Sequence, residues 1–287
     1  MLLEQRITDN GIEEVDKVAV AIERLRYFEP DEGYWLCFSG GKDSQCLLHL
    51  AQEAGVKFEA HYNVTGIDPP ELIYFMKENY PGVIFDMYKK SMWRLIAKKG
   101  LPTRLARFCC SELKEHGGEG MICLTGIRWA ESNQRKSRKP FEVYTKKKAD
   151  KKLFNDNDED RQMFENCMQK GKKIVNPIID WDDEDVWEYI RMRKLKYCKL
   201  YDEGWKRIGC IGCPMASLKQ RKRELEKYPK FKDSYMRAIT RFLPGYLERK
   251  KTKGLIPQFT TPEEMYDWWM SDHDGDKGDP DQDVIFE

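Results

Sequence analysis

The stretch LCFSGGKDSQCLL, residues 36–48, decides how this chain of 287 residues is interpreted. It joins an apolar run to a segment whose apolar residues recur with helical spacing. Glycines let the backbone turn sharply and approach a ligand closely, and the N–H groups that open a helix favour an anion. The stretch therefore predicts a phosphate-binding loop, although an ordinary strand-to-helix turn with two glycines is the alternative. The loop residues are Ser39, Gly40, Gly41, Lys42, Asp43 and Ser44.

Each polar side chain in this loop has a use in binding phosphate. Lys42 carries a mobile positive charge, while Ser39 and Ser44 donate hydrogen bonds to phosphate oxygens. Asp43 caps the helix or helps to hold Mg²⁺. The spacing fits neither G-x-x-x-x-G-K-[ST] nor G-x-G-x-x-G, so the two commonest phosphate loops are excluded.

The composition indicates a water-soluble protein and names no partner by bulk charge. Fifty Lys and Arg face 49 Asp and Glu, which leaves a net charge of +1. No apolar run approaches the roughly 20 residues of a membrane span, and the first residues lack a signal-peptide pattern. Nine cysteines are too few for a disulfide scaffold of this length. We therefore expect a cytoplasmic protein without a membrane partner, whose clustered cysteines serve metal or redox chemistry.

Apolar runs and helical segments alternate along the first half of the chain. This order predicts an α/β fold, a parallel sheet with helices on both faces. Strands are predicted at 33–39, 57–65, 83–88 and 121–128, and helices at 12–27, 43–55, 69–81 and 91–100.

Three regions follow from the composition along the chain. Residues 1–30 are predicted as an N-terminal helix, and 31–215 as a nucleotide-binding domain with a charged insertion near 136–173. Residues 216–287 are predicted as a helical C-terminal region with an acidic tail. A capping box at Thr261 marks the start of its last helix.

The loop SGGKDS resembles the PP-loop of the adenine-nucleotide alpha-hydrolase superfamily, also called ATP pyrophosphatases. The resemblance implies a Rossmann-like sheet, a bound ATP or related adenine nucleotide, and Mg²⁺. It also implies cleavage between the alpha and beta phosphates, with adenylation of a substrate oxygen and release of pyrophosphate. Loop amides, Lys42 and Mg²⁺ would stabilise the charge that develops.

Three further segments resemble the phosphoadenosine phosphosulfate (PAPS) reductase-like branch. One of them, NPIIDWDDEDVWEYI at residues 176–190, is expected to support the fold rather than the chemistry. YNVTGIDPPEL, residues 62–72, is similar to a segment near the nucleotide, although its usual first Asp is replaced. TGIRWAESNQRKSR, residues 125–138, is similar to a G-x-R-x-x-E-S-x-x-R segment that faces the active site. Arginine forks suit phosphate or sulfate, and a solvated basic turn is the alternative. The implied site residues are Thr65, Gly66, Gly126, Arg128, Glu131, Ser132 and Arg135, with Arg128 and Arg135 catalytic beside Lys42 and Asp43.

The cysteine spacing gives a tandem pair and a distant C-x-x-C. Four thiolates are the usual complement of a [4Fe–4S] cluster, whereas four cysteines also bind zinc, and free or redox-active thiols are the third alternative. The arrangement resembles that of APS reductases and of DNA-phosphorothioation ATP pyrophosphatases. The candidate ligands are Cys109, Cys110, Cys210 and Cys213. The remaining cysteines are predicted to pack in the interior: Cys37, Cys46, Cys123, Cys167 and Cys198.

Two features separate this chain from the reductases it resembles. Those enzymes use a cysteine near the chain end as nucleophile on sulfur, whereas no cysteine follows Cys213. Residues 219–253 hold thirteen Lys or Arg and four Asp or Glu, a local net charge of +9. Interleaved aromatic residues make this segment a candidate for binding DNA or RNA, and a solvated helical surface is the alternative. The aromatic residues are Tyr228, Phe231, Tyr235, Phe242 and Tyr246.

The leading hypothesis is an ATP pyrophosphatase in a sulfur-transfer or nucleic-acid modification pathway. A sulfur-donor protein such as a cysteine desulfurase would be its partner. A sulfonucleotide reductase that uses an external thiol, and a non-catalytic nucleotide-binding module, are the two alternatives.

Overall fold

A computed structural model describes residues 1–8, 11–114, 117–144, 152–154 and 172–271. Within these residues the strands are β1 Leu3–Thr8, β2 Gly11–Asp16, β3 Tyr34–Cys37, β4 Phe58–Val64, β5 Ile84–Met87, β6 Ile122–Leu124, β7 Phe141–Tyr144, β8 Lys152–Phe154 and β9 Lys172–Val175. The helices are α1 Lys17–Tyr27, α2 Lys42–Ala54, α3 Pro70–Asn79, α4 Met92–Lys99, α5 Phe108–Leu113, α6 Asp183–Met192, α7 Leu218–Lys227, α8 Pro229–Thr252 and α9 Pro262–Trp269.

Seven strands form the main sheet, in the order β5-β4-β3-β6-β9-β7-β8. β3 pairs in parallel with β4 and β6, and β6 pairs in parallel with β9. β7 runs antiparallel to both β9 and β8. The predicted Rossmann-like α/β fold with a helical C-terminal region is confirmed, with a sheet that is mostly parallel.

The charged segment near 136–173 contributes two strands to this sheet. Phe141 and Val143 of β7 are buried, which the high charge of the surrounding sequence conceals. Between them Glu142 is also buried, and its carboxylate accepts a hydrogen bond from Arg138 at 2.6 Å. A buried carboxylate persists when it is paired in this way. Cys167, predicted to pack in the interior, lies outside the described residues.

The chain divides into two compact units. The first, here the sheet unit, comprises residues 1–62, 70–86 and 117–208, and the second, here the helical unit, comprises 63–69, 87–116 and 209–287. The sheet unit buries large apolar side chains such as Tyr34, Leu36 and Trp181. The helical unit has its own core, in which α4 and α9 pack against α8.

The N-terminal helix is shorter than predicted. Residues 11–16 form β2, which pairs antiparallel with β1, and the helix begins only at Lys17. Asp16 has extended backbone angles and its side chain accepts from the N–H groups of Val18 and Ala19. A carboxylate that caps these N–H groups fixes the helix start, so the apolar residues Ile12 and Val15 belong to the hairpin.

The second difference from the sequence prediction concerns the aromatic residues of 219–253. Tyr235, Phe242 and Tyr246 are at most 3% exposed and form the core of the helical unit. They recur on the inward face of α8 because three- and four-residue spacing places side chains on one side of a helix. These three rings are therefore not available to stack on bases.

None of the helices within the described residues combines the length and apolar composition that a membrane crossing requires.

Candidate functional site

Three neighbouring parallel strands bring the site of the sheet unit together. β3 leads into the loop Ser39–Ser44, β6 leads into the segment from Thr125 to Arg128, and β9 leads towards α6. Because parallel strands end at the same edge of a sheet, the segments that follow them meet there. The N–H of Thr125 donates to the carbonyl of Val175 at 3.0 Å, which joins two of these ends.

The loop requires glycine at position 40. Its φ is +71°, a left-handed conformation that favours glycine. A Cβ atom at this position would lie 2.5 Å from the sulfur of Met76 and 2.9 Å from a methyl of Leu72. Gly40 therefore lets the turn lie close against α3, and the amide of Gln45 donates to its carbonyl at 2.8 Å.

The N-terminus of α2 has no side-chain cap. Gly41 is the N-cap residue, and no side chain accepts from the first turn in the usual capping manner. Ser44 instead donates to the carbonyl of Gly41 at 2.9 Å and accepts from the N–H of Ser39 at 3.2 Å. The N–H of Lys42 donates to the hydroxyl of Tyr201 at 2.9 Å. An uncapped helix start of this kind favours an anion.

Lys42 and Arg128 converge on one carboxylate oxygen. The ammonium of Lys42 lies 2.8 Å from Oδ1 of Asp183, and Nη2 of Arg128 lies 2.7 Å from the same atom. Arg128 is 2% exposed, and its Nε donates to Asp43 at 2.7 Å. Burial alone would raise the pKa of Asp183, but the hydrogen bonds from Lys42 and Arg128 outweigh it and lower that pKa. The two cations are therefore held in place by acidic side chains of the same unit.

Gly126 allows the Arg128 segment to lie against the loop. A Cβ atom at Gly126 would meet the carbonyl carbon and oxygen of Asp43 at 3.2 Å. A side chain would force the two backbones apart, and with them the ion pair between Arg128 and Asp43. This close approach explains a glycine at that position.

Glu131 and Arg135 form an ion pair with each other. Glu131 also accepts from the N–H of Arg128 at 3.0 Å, and the N–H of Arg135 donates to the carbonyl of Ser132 at 3.0 Å. Burial, followed by the charges of Arg207 and Arg138, lowers the pKa of Arg135 to about 10. The structure thus places these three predicted residues in one turn beside Arg128, with Ser132 exposed.

Thr65 and Gly66 lie in the helical unit rather than in the sheet unit. The hydroxyl of Thr65 donates to Asp68 at 2.6 Å, and the sulfur of Cys210 lies 3.9 Å from the same hydroxyl. Gly66 has a φ of +75° and no atom near its absent Cβ. Within this unit, the segment predicted to lie near the nucleotide is adjacent to one of the candidate cluster ligands.

The four predicted cysteine ligands lie in the helical unit and influence one another. A hydrogen bond with Cys110, then burial, then the charges of Cys110, Cys210 and Cys213, raise the pKa of Cys109. Burial and then Asp68 raise the pKa of Cys210 to about 12. Within the described residues, no group of three or more His, Cys, Asp or Glu side chains is arranged to hold a metal ion.

Backbone contacts fix the turn that carries Cys210 and Cys213. The N–H of Ile211 donates to the carbonyl of Ile67 at 2.8 Å, and the N–H of Gly212 donates to the buried carboxylate of Glu224 at 2.7 Å. The N–H of Cys213 donates to the carbonyl of Cys210 at 3.2 Å. These bonds hold the two cysteines together on one well-anchored turn.

The structure also describes four of the other cysteines and two loop contacts that were not predicted. Cys46, Cys123 and Cys198 are buried, as predicted, whereas Cys37 is half-buried. Asp183 and Tyr201 contact the loop although neither was predicted as a site residue. Asp183 lies in residues 176–190, a segment that resembles the family but was expected to support the fold rather than the chemistry.

Comparisons with known proteins match the part of the chain that contains the loop. The family model described as the phosphoadenosine phosphosulfate reductase domain matches residues 33–216. An uncharacterized protein of Methanocaldococcus jannaschii is 28% identical over 257 residues, which cover 87% of this chain and 58% of that protein. The adenosine 5'-phosphosulfate reductase 2 of Bacillus subtilis is 27% identical over 229 residues, covering 75% of this chain and 85% of the reductase.

Among solved structures, the U34-tRNA thiolase of Methanococcus maripaludis with its [4Fe–4S] cluster is similar at a TM-score of 0.42 and 14% identity. The match covers 84% of this chain and 83% of the thiolase. The chain spans about half the length of the curated relatives it matches first, at 58% and 48%.

The matched region contains both the loop Ser39–Ser44 and Arg128, and it extends over well over half of the chain. The chain therefore belongs to the phosphoadenosine phosphosulfate reductase domain family, a family of enzymes, and carries its PP-loop nucleotide-binding domain.

Proposed function

We propose that this protein is an ATP pyrophosphatase that adenylates an oxygen nucleophile and releases pyrophosphate, in preparation for sulfur transfer. The observation that carries the proposal is the convergence of Lys42 and Arg128 beside the uncapped start of α2. Two cations and a helix N-terminus together match a polyphosphate better than any neutral ligand.

In the proposed reaction the nucleophile's oxygen attacks the alpha phosphorus. The bond from that phosphorus to the oxygen bridging to the beta phosphate breaks, and pyrophosphate leaves with the electron pair. The proton of the nucleophile passes to solvent. Lys42, Arg128 and the α2 amides stabilise the charge that develops on the phosphates, and Arg135 orients the acceptor or the leaving group.

The donor chemistry of the site fits Mg²⁺. Asp43 and Asp183 both bond to Arg128, so two carboxylates lie next to the proposed phosphate position. Carboxylate oxygens together with substrate phosphates are the usual ligands of Mg²⁺. Asp43 would hold the ion, which supplies charge neutralisation of the leaving pyrophosphate when bound.

The four cysteines of the helical unit match a [4Fe–4S] cluster in donor type and number, and they would have to draw together to hold one, since the described side chains are not arranged as a metal site. Cys109, Cys110, Cys210 and Cys213 would hold it. Such a cluster supplies either electron transfer or a fixed local charge when bound. Zinc and free thiols are the competing explanations of the same cysteines. The sulfur itself would come from a donor protein of the cysteine desulfurase type.

The products formed from ATP test the proposal. The full chain is incubated with ATP and Mg²⁺ in ¹⁸O-labelled water, with water as the acceptor, and the products are separated and weighed. We expect AMP that carries ¹⁸O together with pyrophosphate. The Lys42→Ala variant should lose at least about tenfold in rate, because one charge-assisted bond to the leaving group is missing.

The Lys57→Ala variant is the matched control. Lys57 is an exposed lysine of the same unit, so it should retain the wild-type rate. Formation of ADP and phosphate would contradict the proposal. Nucleotide binding without any turnover, in the presence of candidate hydroxyl acceptors, would instead favour the non-catalytic module.

A sulfonucleotide reductase is the second candidate, because the reductase of Bacillus subtilis is similar over most of its own length. Such an enzyme would bind adenosine 5'-phosphosulfate or PAPS more tightly than ATP. Equilibrium titration of the three nucleotides separates the two functions. Tighter binding of ATP supports the pyrophosphatase, and tighter binding of a sulfonucleotide supports a reductase that uses an external thiol.

A further inference from the structure

The helical unit carries a strongly basic surface that the adenylation site does not use. Along residues 219–253, eleven of the thirteen basic side chains are exposed, whereas only three of the four acidic ones are. Arg221 and Lys250 are the buried exceptions. The exposed part of this segment therefore keeps the one-sided charge of its composition, with eleven basic against three acidic side chains. The exposed basic residues are Lys219, Lys222, Arg223, Lys227, Lys230, Lys232, Arg237, Arg241, Arg249, Lys251 and Lys253. We use the term basic face for the row of them that shares one side of α8, which consists of Lys230, Arg237 and Arg241.

Spacing arranges these charges in rows. Lys230, Arg237 and Arg241 are separated by seven and four residues, so they lie on one side of α8. At 1.5 Å per residue, their Cα atoms rise by about 10 Å and then about 6 Å along the helix. On α7, Lys219, Lys222 and Arg223 follow the same rule. A row of this length faces several phosphates of a nucleic acid at once, since a duplex carries one charge per about 1.7 Å of axis.

Several of these charges have no acidic partner within the part of the unit that the structure describes. Among the described residues, no carboxylate forms an ion pair with Lys219, Lys222, Lys230 or Arg241. Arg237 donates to the hydroxyl of Ser234 at 2.7 Å, which orients its guanidinium without removing its charge. Cations held in this state attract a polyanion.

Three of the five rings of this segment are buried, and the other two are half-buried against neighbouring rings. Tyr235, Phe242 and Tyr246 lie in the core. Phe231 packs between Tyr228 and Trp93, with centroid distances of 6.1 and 6.3 Å. Proteins that bind single strands rely on exposed rings on which bases stack, whereas non-specific binding to a double helix depends almost entirely on its backbone charge.

We propose that the basic face binds the sugar–phosphate backbone of a double-stranded nucleic acid, without reading its sequence. The proposal names the substrate class of the adenylation proposed above, and it depends on that function only for what happens to the bound duplex. Charge without stacking platforms favours the duplex over the single strand, and the phosphate backbone is common to double-stranded RNA and DNA.

Fluorescence anisotropy of labelled 24-mers tests this without any nucleotide. The probes are duplex DNA, duplex RNA and the corresponding single strands, each titrated at several salt concentrations. We expect at least one of the two duplexes to bind more tightly than its single strands. The affinity for that duplex should fall steeply as the salt concentration rises. The duplex that binds more tightly shows whether the bound nucleic acid is DNA or RNA.

A triple variant locates the binding surface. Lys230→Gln with Arg237→Gln and Arg241→Gln should weaken duplex binding at least about tenfold, and it should reduce the salt slope by roughly one for each phosphate that is no longer bound. Arg191→Gln with Lys194→Gln and Lys196→Gln is the control, because it removes the same charge from exposed residues of the sheet unit. The control should bind duplex like the wild type.

Three outcomes would overturn the inference: single strands bound at least as tightly as duplexes, equal weakening in the two triple variants, or tighter binding to phosphatidylserine vesicles than to either duplex. ATP cleavage into AMP and pyrophosphate is measured separately on the same variants. If the first triple variant loses duplex binding but still cleaves ATP, the result bears on the basic face alone. If the wild type does not cleave ATP, the result bears on the proposed function alone.

Discussion

At the scale of single residues, Asp183 bonds to the two cations that the proposed function assigns to the phosphates. Its Oδ1 accepts from both Lys42 and Arg128, while its side chain is 76% exposed. An exposed carboxylate moves away at little cost, because water solvates it well. The two cations are thus kept close together, and under the proposed function a nucleotide would compete with this carboxylate for them.

The Asp183→Asn variant should therefore bind ATP more tightly when Mg²⁺ is absent. Removal of a competing charge-assisted hydrogen bond is worth about 1 kcal/mol, which corresponds to an affinity about fivefold higher. Isothermal titration in the presence of a chelator measures it. The Glu184→Gln variant is the control, since it removes the same charge from an exposed neighbour on the same helix turn. Weaker ATP binding by Asp183→Asn would assign this carboxylate to the ligand rather than to competition with it.

Gly40 supports a second prediction. The Gly40→Ala variant combines a φ of +71° with a methyl group 2.5 Å from the sulfur of buried Met76. The left-handed conformation costs about 1 kcal/mol and the overlap roughly another 1–3 kcal/mol of unfolding free energy. Urea denaturation measures both.

The Gly55→Ala variant separates these two contributions. Gly55 has a φ of +72°, and nothing lies within 4 Å of its absent Cβ, so only the conformational cost applies. If the two variants lose the same free energy of unfolding, α3 moves aside at no cost, and the loop does not require close contact with it.

Sequence predicted the loop and Arg128 because short motifs carry them. It did not predict Asp183 or Tyr201, since these lie 141 and 159 residues from Lys42 along the chain and reach it only through tertiary folding. Gly126 was predicted through the same motif as Arg128, but its physical reason, contact with the backbone of Asp43, appears only in three dimensions. The roles assigned to these residues stay predictions until the variants are measured.

At the scale of elements, a buried ion pair joins α1 to α6. The ammonium of Lys17 lies 2.8 Å from Oδ2 of Asp185, whose side chain is fully buried. Glu4 of β1 contributes a second carboxylate at 3.1 Å. Burial alone would raise the pKa of Asp185, but hydrogen bonds from Lys17 and from the chain's amino group lower it. The pair holds the N-terminal helix against the segment that carries Asp183.

The Asp185→Asn variant should lower the free energy of unfolding at neutral pH by roughly 3 kcal/mol, because it leaves a buried ammonium with a weaker partner. A lowered carboxylate pKa contributes stability above the ordinary value of about 3.9, and this contribution is lost as pH falls through the lower folded-state value. The wild type should thus lose stability below about pH 4, and the variant should lose less over that range.

Urea denaturation at about pH 7, 5 and 3 measures this difference. Asp31→Asn is the control, since that carboxylate is exposed and should change neither the stability nor its pH dependence. Parallel loss of stability in the wild type and Asp185→Asn across the acidic range would contradict the linkage.

The alternation of strands and helices was predictable because the apolar residues of each element recur with the spacing of that element. Gly55 closes α2 in a left-handed conformation, and Thr261 with Glu264 forms the predicted capping box of α9. The N-terminal hairpin was missed, since Ile12 and Val15 continue the helical spacing of α1. The dipeptide Asn10-Gly11, a common hairpin turn signal, and the capping residue Asp16 would have indicated it.

At the scale of the whole molecule, the chain separates its chemistry between two units. The sheet unit holds the PP-loop, Arg128 and Asp183, and the helical unit holds four cysteines beside its own core. The family and the α/β fold were predictable because they depend on local motifs and on element order. The antiparallel strands β7 and β8 were not, since the sequence around them is dominated by charge, which conceals their short apolar pattern.

This separation predicts that the cysteines stabilise one unit only. After anaerobic purification the wild-type chain should contain about four irons and four sulfides, and Cys213→Ser should lose most of them. Because a bound metal group stabilises the structure that binds it, amide hydrogen exchange in Cys213→Ser should accelerate in α4 and α8, which share the core next to Cys109 and Cys210. Exchange in α2 and β3 of the sheet unit should not change.

Cys198→Ser is the matched control. Cys198 is a buried cysteine of the sheet unit, so this variant should keep its iron and the protection of α4 and α8. One zinc per chain without iron would overturn the cluster assignment and leave the PP-loop unit unaffected. Iron retained in Cys213→Ser would exclude that residue as a ligand, and faster exchange in both units after iron loss would show that the cysteines stabilise the whole fold rather than the helical unit alone.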